Sequence, residues 1–247
     1  MKIKKEALIG IVVIVVVISA LTLFLGNQRA KARGSFAQRI NALGNNPTES
    51  VESLQKAISI YENRIEQHVK DAAQTGVYWK ILAIRLQDRN LHNEALNALE
   101  RAVYYNPTDP VLHYLTGVSA VIVGKNSHDY PGNANPNRVY MYNLGEEAFL
   151  RAIDLDPKYL KPHYSLGILY SFDLDRPEDA VIYLEKALQI SRNDVDSMFV
   201  LARSYYMLSM YSEAVELYDR IINTTKDKDK IREAQDNRQL VMGRIYG

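Results

Sequence analysis

The chain of 247 residues contains no cysteine. That excludes disulfide staples, thiolate-bound zinc, a thiol nucleophile and a lipid-modified cysteine. Twelve glycines and eight prolines are too few for a fibrous or low-complexity chain. There is no Gly-rich phosphate loop, no GxSxG elbow and no HExxH helix. No enzyme, no cofactor and no metal are therefore expected. Neither charge sign dominates: the formal net charge is +1, which argues against general nucleic-acid binding. What remains, 47% hydrophobic and 24% charged residues, suits one sizeable globular domain with an appendage.

The appendage is apolar. Residues 7–25 (ALIGIVVIVVVISALTLFL) carry no charge and as a helix reach about 28 Å at roughly 1.5 Å per residue, enough to cross a bilayer core. A cleaved signal peptide has a shorter apolar run ending at a small-x-small site. The nearest such site, Ala30-Lys31-Ala32, lies between Arg29 and Arg33, so residues 1–26 are expected to remain as a membrane anchor. Lys2, Lys4 and Lys5 on one side face Arg29, Lys31, Arg33 and Arg39 on the other, and the positive-inside count nearly cancels. A short tail with three lysines and a free amine resists translocation, so the bulk of the chain is expected outside the cytoplasm. Residues 27–46 form a basic linker that either rests on anionic head groups or stops the helix sliding.

Asn46-Pro47 with Glu49 reads as a helix start, and a leading helix is expected over 47–75, ended by Gly76. Val51, Leu54, Ile58, Tyr61, Ile65, His68 and Ala72 form a heptad-like seam on it. The seam either dimerises as a membrane-proximal coiled coil or packs on the helix that carries Trp79. The immediate arrival of that helix favours the second reading.

From there the chain repeats. His163-x2-Leu166-Gly167-x2-Tyr170 is followed by Ala180-x3-Leu184-x2-Ala187. Small residues on facing helices permit close approach where bulky neighbours interlock, the pattern of a helical hairpin. The same spacing recurs as Trp79, Leu82, Ala83, Leu86 with Ala95, Leu99, Ala102; as His113, Thr116, Gly117, Ala120 with Gly145, Phe149, Ala152; and as Met198, Leu201, Ala202, Tyr205 with Ala214, Tyr218, Ile221. His113 and His163 share a slot with Trp79 and Met198, so they read as packing residues; His68, His92 and His128 lack partners for chemistry. Asp173-x-Asp175 reads as a helix-capping turn, having too few oxygen ligands for calcium.

A period of 34 residues with this W-x2-L-G-x2-Y and A-x3-F logic resembles the tetratricopeptide repeat family. The resemblance implies an all-α solenoid of antiparallel helix pairs over 76–228, in four repeats at 76–109, 110–159, 160–194 and 195–228. The second repeat holds sixteen extra residues, read as an inserted loop at 124–135 ahead of a helix that projects two turns and carries Tyr140 and Tyr142. Residues 229–247 read as the capping helix that an open stack needs. The resemblance further implies a concave groove lined by the first helix of each pair, here Lys80 and Ile84; Tyr114 and Val118; Tyr164 and Ile168; and Phe199, Arg203 and Tyr206. Its aromatic and apolar character fits a helix or peptide of a protein partner. The Lys and Asn clamp of chaperone-tail binders is not matched, since Ile84, Leu115 and Ser165 occupy its places. The expected function is a membrane-anchored scaffold that binds a protein partner, with a self-assembling structural subunit, a homo-oligomer, as the rival reading.

Overall fold

The computed structural model describes residues 51–131 and 133–246. The anchor over 1–26, the basic linker over 27–46 and the Asn46-Pro47 helix start lie outside these residues. Among the described residues no helix is long and apolar enough to cross a membrane. The chain divides into two units between residues 67 and 68.

Nine α-helices are described: α1 (Val51–Gln87), α2 (His92–Tyr105), α3 (Pro110–Asn126), α4 (Pro136–Leu155), α5 (Leu160–Ile168), α6 (Pro177–Ile190), α7 (Val195–Met207), α8 (Tyr211–Thr224) and α9 (Lys228–Tyr246). A π-helical turn, Leu169–Asp173, continues α5. The only extended pairing among the described residues is an isolated bridge between Tyr130 and Asn133.

Local chemistry sets the helix starts. Asp109 accepts from the Val111 amide ahead of Pro110, Asn135 from the Asn137 amide ahead of Pro136, and Asp194 from the Ser197 amide. Each satisfies a donor that a helix N-terminus leaves open. The turns inside three pairs are closed by one left-handed residue each: Asn90, Asp175 and Ser209, with φ of 59°, 52° and 60°.

Within 68–247 the helices pack as the repeat pattern requires. Phe149 fills the space that a side chain on Gly117 would take, and Leu184 does the same at Gly167. A first cluster joins Ala83, Ala98, Leu99, Ala102 and Leu112, with Trp79 and Leu86 packed against it. A second, larger cluster runs from Tyr142 and Phe149 through Leu166, Leu184 and Met198 to Ile221, Ala234 and Val241. Ala234 and Val241 belong to α9, which covers α8.

The histidine slot is more than packing. His163 is buried and its Nε2 lies 3.0 Å from the carbonyl of Pro157; His113 makes the same bond to Pro107 at 2.9 Å. In the fourth repeat Met198 cannot donate, and the equivalent carbonyl, that of Arg192, accepts instead from the Arg220 guanidinium.

Three expectations are corrected. Gly76 does not end a helix: α1 runs unbroken through it. An internal glycine costs a helix only about 1 kcal/mol, and here it admits Tyr105, whose Cβ lies 2.8 Å from where a side chain would begin. The leading helix and the helix of Trp79 are therefore one, and the seam cannot pack on the latter. Val51, Leu54, Ile58 and Ile65 are exposed. Second, the insertion is shared. α3 reaches Asn126, so the loop is shorter than 124–135, and α4, six residues longer than α2, has α3 beside it. Tyr140 is exposed, but Tyr142 is buried over Gly124. Third, Asp173 and Asp175 cap nothing: α6 has no side-chain cap, and Asp173 instead pairs with Lys125 at 3.1 Å.

Candidate functional site

The residues expected to line the groove all lie on first helices of pairs, but the structure distributes them over successive junctions. Lys80 donates to Asp109 at 2.7 Å, across to the start of α3. Ile84 is exposed near it. Tyr114 is half-buried, its ring 6.0 Å from Phe149 and 5.4 Å from Tyr159, with the Lys161 ammonium 5.8 Å from its centre. Burial pushes the Tyr114 hydroxyl up in pKa, and that of Tyr159 to about 12. Val118, Tyr164 and Ile168 are half-buried against the larger core cluster. Burial first, then the carboxylates of Asp196 and Asp194, keeps the Tyr164 phenol protonated. Five of the nine, Lys80, Tyr114, Val118, Tyr164 and Ile168, thus make contacts between neighbouring elements, while Ile84 stays exposed.

Phe199, Arg203 and Tyr206 are brought together. They line a cleft of about 410 Å³ whose opposite side is α9, through Glu233 and Leu240. Phe199 stacks obliquely on Tyr218 with centroids 6.3 Å apart, which holds its ring against the second helix of the pair. The Tyr206 hydroxyl accepts from Arg244 Nε at 3.3 Å and its ring lies 5.6 Å from Tyr211.

The fourth member is Phe172, which sequence reasoning missed. Its ring is 52% exposed, and the Arg203 guanidinium carbon lies 4.4 Å from its centre. Such a pair contributes on the order of 0.5–1 kcal/mol at an exposed site. Phe172 reaches this place because the helix widens there: the Leu174 amide donates to the Leu169 carbonyl, five residues back, at 3.0 Å. A single π turn absorbs one extra residue and re-aims its side chains. The signal was in the spacing. Tyr170 to Ala180 is ten residues where Leu86 to Ala95 and Tyr205 to Ala214 are nine.

The arrangement offers an exposed aromatic face, two further rings and a guanidinium in one cleft, with no nucleophile and base in mutual reach. It can hold an apolar or aromatic side chain and a carboxylate.

Residues 160–194 and 196–224 each match a tetratricopeptide repeat model. Over 142 residues the chain is 24% identical to anaphase-promoting complex subunit 3 of Schizosaccharomyces pombe, covering 58% of this chain and 19% of that one. The chain thus spans about a fifth of that relative's length. A TPR repeat-containing protein of Borreliella burgdorferi is 19% identical over 229 residues, 90% of this chain and 96% of the other. Among solved structures, YrrB, a TPR protein with an unusual peptide-binding site, superposes with a TM-score of 0.55 at 17% identity, over 72% of this chain and 81% of its own. That likeness is one of fold. The chain carries tetratricopeptide repeats, and their all-helical stack is of the kind these proteins share.

Proposed function

We propose that this chain is a membrane-anchored adaptor that holds a segment of a protein partner in the cleft of Phe172, Phe199, Arg203 and Tyr206. The observation that carries the reading is the exposed ring of Phe172 under the Arg203 guanidinium: an aromatic ring left in solvent beside a cation is what binding hot spots consist of. YrrB, which shares the fold, has a peptide-binding site, and tetratricopeptide repeats generally serve protein association. Residues 1–26 supply the anchor in this reading, with the repeats outside the cytoplasm. Recovery of the partner from native membranes with the full chain tests it. Phe172→Ala and Arg203→Glu should each leave circular dichroism and melting almost unchanged, surface changes usually costing within about 0.5 kcal/mol. Recovery should fall on the order of tenfold or more. Undiminished recovery by both variants overturns the cleft as the site, and amino-terminal sequencing that starts beyond residue 30 overturns the anchor.

A second reading has its own observation. Val51, Leu54, Ile58 and Ile65 are exposed at heptad-like spacing on α1, which favours a self-assembling subunit joined through that helix. Ile58→Glu with Ile65→Glu should then lower the mass measured by sedimentation in detergent, and an unchanged mass removes this alternative.

A further inference from the structure

Consecutive pairs meet at three junctions, and the fillings between their second helices differ. Between α4 and α6, two tyrosines close the gap. The Tyr170 hydroxyl donates to Glu146 at 2.7 Å, its ring lies 5.7 Å from that of Tyr183, and Tyr183 in turn lies 6.3 Å from His163. Arg176 covers them, 4.5 Å from the Tyr170 ring and 3.1 Å from Glu146. One repeat earlier, the residue in the slot of Tyr170 is Ala120, the residue in the slot of Tyr183 is Ala148, and His113 stands in that of His163. Both rings are missing. The result is a cleft of about 680 Å³ between α2 and α4, lined by His113 and Ala148 together with Leu96, Met141 and Leu144.

The α6–α8 junction locates the acceptor. There the first tyrosine is kept as Tyr205, whose hydroxyl donates to Glu185 at 2.8 Å, while Leu217 replaces the second. That junction also opens, to about 740 Å³, but Glu185, Glu213, Glu216, Arg192 and Arg220 dominate its lining. Two repeats back, the offset that aligns Ala180 with Ala95 places Glu100 of α2 where Glu185 stands in α6, and Glu100 lines the α2–α4 cleft with Ala120 in place of the donor. Glu147 and Arg151 complete its charged rim, two carboxylates against one guanidinium.

We propose that the α2–α4 cleft receives a tyrosine side chain of a partner protein, presented beside a basic residue. The chain fills the neighbouring junction with tyrosine rings of its own, and the unfilled one is open where those rings stand. Met141 offers a thioether to the ring edge, Glu100 accepts the hydroxyl, and the acidic rim selects the basic neighbour. This surface lies among second helices of pairs and is separate from the cleft of Phe172 and Arg203.

The test uses the full chain in detergent micelles with its methionine methyl groups 13C-labelled. The probes are Ac-Lys-Tyr-Lys-NH2 and Ac-Lys-Ala-Lys-NH2. The Met141 methyl resonance should shift saturably with the first peptide and about tenfold more weakly with the second. Ala148→Tyr, which restores the missing ring from within, should abolish the response. Glu100→Arg, an exposed change that leaves the fold intact, should weaken it about tenfold as well, so the outcome does not hang on one core variant. A Met141 methyl that does not respond, that responds equally to both peptides, or that responds undiminished in Glu100→Arg overturns the proposal.

Discussion

A proline carbonyl can only accept, so the bond between His163 and Pro157 fixes Nε2 as the protonated nitrogen. Nδ1 is then buried without a partner, and a second proton there would be a buried charge. Burial accordingly holds the His163 imidazole below its usual pKa. An unfolded histidine titrates near about 6.5. Below that pH the unfolded chain binds a proton that the folded chain refuses, so stability is complete above about pH 6.5 and falls as the pH drops towards the depressed folded value. Urea melts at pH 7.5 and 5.5 should show that loss. His163→Met should reduce it, the remainder belonging to His92, whose pKa burial also lowers, and at pH 7.5 should itself cost about 1 kcal/mol, because Pro157 loses its donor. Met198 is tolerated in the same slot because Arg220 serves the carbonyl there. A second residue carries a different strain. Ser209 holds φ at 60°, where asparagine and aspartate settle more easily than serine does. Ser209→Gly should raise stability by about 0.5 to 1 kcal/mol, read as a higher melting temperature.

At the scale of the helix, Gly76 sets two effects against each other. Alanine there would favour the helix by about 1 kcal/mol, but its Cβ would start 2.8 Å from that of Tyr105, and overpacking costs about 1 to 3 kcal/mol. Gly76→Ala should therefore lower the melting temperature, and a rise would show that Tyr105 yields freely. The sequence makes a glycine visible but not the reason for it. Gly117 and Gly167 could be read as crossing points because each holds the same slot of its repeat, with Phe149 and Leu184 in the matching slot of the helix that follows. Gly76 has no such companion, and its partner, at the end of α2, is 29 residues away. The same limit hid Phe172: spacing shows that one residue is extra between Tyr170 and Ala180, but whether it lengthens the turn or widens the helix depends on what packs outside it. Groove residues chosen by helical register alone, such as Tyr114 and Ile168, are half-buried against the larger cluster, because register fixes a face and not what the next pair lays over it.

Over the whole described stack, stability is a property of neighbours. Each pair rests on the next, and the apolar packing gathers into two clusters, a small one around Ala83, Leu99 and Leu112 and a large one from Phe149 to Val241. The chain has one tryptophan, and Trp79 packs against the small cluster. Its emission is consequently a local reporter, while far-ultraviolet ellipticity sums all the helices. In a quasi-one-dimensional array the two signals need not move together. The urea midpoint read from fluorescence should fall below that read from ellipticity, with the first pair opening while the larger cluster still holds, and coincident midpoints would show that the stack melts as one. The lone indole thus makes the chain its own two-channel probe of how far cooperativity reaches along the repeats.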